Sequence, residues 1–167
     1  ARLLGGDLES GTYSTGESSI PLKEAAKLNF PVLAMDVAVA PKDQIPRVTV
    51  TDGLRIYQYR LVNRVLEAEW SYTPKGFGQI LSLQLADLDG DGSLEVVINR
   101  HHSAVGLNSF VLGEKAGRPV AVADGIDQIL LAMDQTGDGI KRSLWAQSYS
   151  PEKFWNIGQA DRMALKN

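Results

Sequence analysis

The chain contains no cysteine and only two histidines, the adjacent His101 and His102. Without cysteine there is no disulfide, no thiolate nucleophile, no iron–sulfur cluster and no cysteine zinc site. Its apolar runs all fall short of the roughly 18–20 residues that span a bilayer. Neither sign of charge dominates: 17 Lys and Arg stand against 20 Asp and Glu, a formal net charge of -3. That balance argues against a dedicated nucleic-acid binder. Residues 1–10 also lack the apolar core of a signal peptide. A processed protein and an excised piece would both begin this way, so the start carries no information on location.

What the sequence does have is a composition suited to folding. Its 167 residues are 44% hydrophobic and 22% charged, enough to bury a core and unlike a disordered tail. It also repeats itself. Residues 38–51 (AVAPKDQIPRVTVT) lie over 86–99 (ADLDGDGSLEVVIN) at an offset of 48, so that Val48, Thr49 and Val50 fall under Val96, Val97 and Ile98. A third copy, 134–146 (DQTGDGIKRSLWA), matches at an offset of 47. A period near 48 lies in the range of propeller blades, each a four-stranded sheet.

Strand patterning agrees with that period. Alternating or β-rich runs separated by short turns occupy 33–40, 47–52, 54–61 and 64–72 in the first copy, with Thr51-Asp52-Gly53 as a type I′ hairpin signal. The second copy has runs at 80–88, 94–100, 109–112 and 119–123. The third has 129–133, 143–149, 154–157 and a frayed strand near 162–165. The expectation is an all-β chain, a partial propeller of about three four-stranded antiparallel blades at 30–76, 77–126 and 127–167. A β-sandwich would share the strand lengths but does not predict self-similarity. Residues 1–29 precede the first copy as a Gly/Ser/Thr-rich loop and a short helix over 21–28, with Pro21 at its first position.

One segment carries chemistry: Asp87-Leu88-Asp89-Gly90-Asp91-Gly92-Ser93-Leu94-Glu95. Four carboxylates within nine residues repel one another unless a hard cation with about six to eight oxygen ligands neutralises them. An EF-hand loop opens the same way but needs an acidic residue at position twelve, where this chain has Ile98. The loop therefore closes at position nine and feeds a strand.

DLDGDGSLEVVI resembles the signature of FG-GAP/VCBS repeats, the calcium-loop blades of integrin-α-like β-propellers. The resemblance covers about residues 29–167 and is specific only in the second copy. It implies one structural calcium ion held by Asp87, Asp89, Asp91 and Glu95, with the backbone oxygen of Ser93. Position nine is often Asp in that family, so Glu95 is a departure. Phe77-Gly78 is similar to its Phe-Gly element. The other copies depart further. The third keeps Asp134 and Asp138 but has Thr136 at position three and Arg142 at position nine, a cation that would pair with Asp134 or Asp138 in place of a metal. The first has Val39, Pro41, Asp43 and Arg47 and cannot bind.

The remaining chemistry-bearing residues read more plainly. His101 and His102 follow a strand and would face opposite sides, which suits a solvated loop better than a metal site. Trp70, Trp145 and Trp155 suit packing between blades. Lys141-Arg142 is too short for phosphate binding, and Asp124 with Asp127 in a turn has nothing to join. No nucleophile elbow or metal-activating histidine cluster is present. The resemblance therefore implies a non-enzymatic, calcium-binding interaction scaffold with a protein partner, outside the cytoplasm: periplasmic, outer-membrane-associated or at the cell surface. A carbohydrate-binding propeller is the alternative, and a propeller segment of a glycan-active enzyme the second. Open terminal blades would mark either a fragment of a larger bacterial propeller protein or a chain that self-associates through them.

Overall fold

The computed structural model describes residues 12–15, 18–21, 26–148 and 161–163. Among these, every regular element is a β-strand and every strand pair is antiparallel. The first sheet runs β3 (Ala34–Val39), β4 (Pro46–Thr51), β5 (Ile56–Val62) and β6 (Val65–Tyr72) in that spatial order. It is preceded by a separate hairpin of β1 (Thr12–Thr15) and β2 (Ser18–Pro21). In the middle sheet, β7 (Gly78–Ala86), β8 (Glu95–His102), β10 (Ser109–Lys115) and β11 (Arg118–Ile126) follow one another, and the two-residue β9 (Gly106–Leu107) pairs with β8. The third sheet orders β12 (Gln128–Met133), β13 (Ser143–Ser148) and β14 (Asp161–Met163).

Four details differ from the sequence reading. The sheets have four, five and three strands among the described residues, not four each. The helix expected over 21–28 is overturned at both ends. Pro21 pairs with Thr12 in a hairpin, and residues 26–28 are irregular; residues 22–25 lie outside the described residues, as does the strand expected at 154–157. Asp52-Gly53 is not a type I′ turn, because only Gly53 has positive φ (96°). Asp52 Oδ1 instead accepts the N–H groups of Leu54 and Arg55, and the turns with two positive-φ residues are Asn63-Arg64 and Ala116-Gly117. Finally, His101 and His102 belong to β8 rather than to the loop after it.

The sheets stack face to face, and alternation along each strand decides what lies between them. Ile56 of the first sheet and Ile80, Leu83, Leu85, Val96, Ile98, Phe110 and Leu112 of the middle sheet form one core, with Ala34, Ala38 and Trp70 packed against it. Ala86, Val97 and Val111 turn the other way and meet Leu130, Ala132, Leu144 and Ala146 in a second core. Strand β8 contributes to both. Its continuous run Val96-Val97-Ile98 has no solvent face, and all three residues are at most 1% exposed. β-Branched residues suit such a doubly covered strand.

Polar side chains also bridge the stack. Asp36 Oδ2 accepts the Leu85 N–H at 2.8 Å and the Lys141 ammonium at 2.7 Å. Gln84 accepts the Ala132 N–H at 2.9 Å and donates to the Ala132 carbonyl at 3.3 Å. Asn99 does the same to Leu130 at 2.7 and 2.8 Å, and also joins Ser82 and Ser109.

Candidate metal centre

Residues 87–94 connect β7 to β8, the first two strands of the middle sheet. The acidic residues shape the turn themselves. Asp87 Oδ1 accepts the Gly92 N–H at 3.2 Å, Asp89 Oδ1 the Asp91 N–H at 3.1 Å and Asp91 Oδ1 the Ser93 N–H at 2.6 Å. Such side-chain-to-backbone bonds are why Asp at alternate positions folds a tight loop. Gly92, at φ 82°, is required twice over. A side chain there would be strained, and its Cβ would sit 3.0 Å from the Lys42 nitrogen.

Neighbouring loops hold this turn on both sides. Lys42 donates its N–H to the Gly92 carbonyl at 2.9 Å and its ammonium reaches Ser93 Oγ at 3.5 Å. On the other side the Asp87 N–H donates to the Lys141 carbonyl at 2.9 Å. The loop thus touches the equivalent loops of the first and third sheets.

Of the expected ligands, three come together. Carboxylate oxygens of Asp87, Asp89 and Glu95 all lie within 4.8 Å of one another, with Asp87 and Glu95 buried and Asp89 exposed. This triad could hold a metal ion. Asp91 is not in the group; its carboxylate is turned to the Ser93 N–H. Burial pushes the Glu95 carboxyl up to about 7, and the charges of Asp89, Asp91 and Asp87 add to that rise, against a 2.8 Å hydrogen bond from the Leu88 N–H. A buried acid among like charges is the setting in which a bound cation removes the most repulsion.

The equivalent loops solve the same charge problem without a metal. In the third loop Arg142 pairs with Asp138 at 2.6 Å, one of the two partners the sequence offered. Asp134 instead accepts N–H groups from Thr136, Gly137 and Gly139. In the first loop Arg47 pairs with Asp43 at 2.7 Å. Sequence reasoning missed this pair, although the signal was there: both loops have Asp at position five and Arg at position nine. The guanidinium's hydrogen bond is the leading cause that holds Asp138, and likewise Asp43, below the ordinary carboxylate range.

The other singled-out residues lie elsewhere. Trp70 packs on the first core, Trp145 lies on β13 and Trp155 is outside the described residues. His102 Nδ1 accepts the Ala104 N–H, and Asp124 accepts that of Gly125. Phe77 is 88% exposed, while Gly78 is needed because a Cβ there would collide with the His101 carbonyl. Compared with known proteins, the chain matches no family model and no curated protein.

Proposed function

We propose that this chain is a calcium-binding, non-enzymatic propeller segment of FG-GAP/VCBS type that serves as an interaction scaffold outside the cytoplasm. The observation that carries the reading is the convergence of Asp87, Asp89 and Glu95 in the turn between the first two strands of the middle sheet. Hard carboxylate oxygens without nitrogen or sulfur suit calcium or magnesium, and calcium is the ion that the family resemblance implies. Three antiparallel sheets packed face to face, with β7 in contact with both β3 and β12, are what consecutive blades would look like.

A scaffold role fits the rest of the chemistry. The cation would brace the loop that the first and third sheets' loops already touch, and the imidazoles that could assist a bound water sit on β8 away from the triad's loop. A site of this kind works where calcium is abundant, which is outside the cytosol. Isothermal titration with calcium and magnesium tests the reading. One calcium per chain, lost in Asp89→Ala and kept in Asp138→Ala, is the expected result; no heat with either ion sinks it.

A second reading, carbohydrate binding, is favoured by one feature. A cavity of about 430 Å³ is lined by Ser82, Gln84, Leu130, Trp145 and Gln147, combining amides with an indole whose Nε1 is buried without a hydrogen-bond partner. A glycan array decides between the two, because a scaffold leaves every sugar unbound.

A further inference from the structure

Among the described residues the stack ends in two apolar faces. Leu33 and, on β3, Met35, Val37 and Val39 point away from the middle sheet and are 48–58% exposed. On β12, Ile129, Leu131 and Met133 point outward at 40–48% exposure. Water-facing strands of a monomer do not ordinarily carry two such stripes.

The repeat identifies what each stripe is built to meet. At the offset of 48, Met35 and Val37 correspond to Leu83 and Leu85, which are 5% and 1% exposed against the first sheet. At the offset of 47, Ile129, Leu131 and Met133 correspond to Ser82, Gln84 and Ala86, the stripe on which the third sheet packs. The two free faces are therefore the two opposite halves of the junction that the chain already forms twice. The stripe on β12 is also more apolar than its covered counterpart, with Ile, Leu and Met replacing Ser, Gln and Ala. A face meant for water would change in the other direction.

The geometry points to a second copy of this chain as the occupant, docked head to tail. The β3 face of each copy lies on the β12 face of the other, so that a closed pair buries both stripes twice. Opposite halves on one molecule make the contact heterologous, and such contacts must either close or polymerise. Two copies supply six stacked sheets among the described residues, within the roughly four to eight that close a propeller ring. The ring rests on the propeller reading, but the pairing of faces rests only on packing and stands apart from the cation.

Sedimentation equilibrium of the full chain across micromolar concentrations tests this, with calcium and with chelator. The expected species has twice the 18.2 kDa chain mass in both buffers. Val37→Glu and Leu131→Glu, each at an exposed position and each checked for a native circular dichroism spectrum, should separately yield monomer. Mixing the two variants should restore a two-chain species, because one of the two junctions is then apolar on both sides. A monomeric wild-type chain overturns the proposal. So does an open-ended series of larger species, or a dimer that Leu131→Glu leaves intact. Loss of calcium binding with the pair preserved would refute the cation reading and leave this one standing.

Discussion

Replacing Asp89 by asparagine should change stability in opposite directions with and without calcium. In chelator, the Asp89 carboxylate lies within 4.8 Å of those of Asp87 and Glu95. Two like charges at that distance repel by about 0.9 kcal/mol at the dielectric constant of water and about 3.5 kcal/mol at an effective value of 20. Asp89 is exposed, so the lower figure applies, and Asp89→Asn should stabilise the metal-free protein by about 1 kcal/mol. With 1 mM calcium the sign reverses. A site with Kd near 10 μM adds about 2.7 kcal/mol to the wild type, and one near 100 μM adds about 1.4 kcal/mol. At about 2–4 °C per kcal/mol for a chain of this size, calcium should raise the wild-type Tm by about 3–11 °C and the variant's hardly at all. Differential scanning fluorimetry in the two buffers reads both effects. Equal melting temperatures for the wild type in calcium and chelator would refute the reasoning, as would a variant that is equally destabilised in both.

The metal-free third loop should become a second site when Thr136→Asp and Arg142→Asp are combined, raising calorimetric stoichiometry from one to two; Arg142→Asp alone should leave it at one. Asn99→Leu strands the buried N–H and carbonyl of Leu130 together with Ser109, so urea unfolding should show a loss of about 2–4 kcal/mol. Gly78→Ala should cost about 1–3 kcal/mol in the same assay, because its Cβ has no room beside the His101 backbone. For Asp52, burial raises the carboxyl's pKa, but hydrogen bonds from Leu54, Arg55 and Tyr57 outweigh it and leave it lowered. The stability this gives is present above about pH 4 and is lost as pH falls through the lowered value. Asp52→Asn should therefore flatten the acid limb of the urea midpoint below about pH 4.

The strands were legible because each needed only its own residues: period-two alternation in β3 and β12, and an unbroken β-branched run in β8. The β1–β2 hairpin was not, since its residues read as a Gly/Ser/Thr-rich loop, and Pro21 ends a strand as readily as it opens a helix, so that only its pairing with Thr12 decides. At the loop, residue spacing found Asp87, Asp89 and Glu95. It could not tell that Asp91 stays out of that cluster, because spacing fixes the order of the acids along the loop but not the direction in which each side chain turns. The bridges from Asp36, Gln84 and Asn99 were invisible for another reason. Their partners are backbone groups 31–49 residues away, and backbone leaves no mark in sequence.

Those amide bridges bear on what an unpaired strand margin can recruit. β12 lies at the margin of its sheet, and an unpaired margin is an open template on which another chain can add a strand. Here the outward N–H and C=O of both Leu130 and Ala132 are already engaged by Asn99 and Gln84, whose amide groups mimic the peptide of a neighbouring strand. Two side chains thus occupy the margin at Leu130 and Ala132 without any added strand, and the Asp36 carboxylate does the same for the Leu85 N–H on β7. Growth by strand addition, the route to cross-β fibrils, is blocked at these positions even in a molecule with several exposed valines, leucines and methionines.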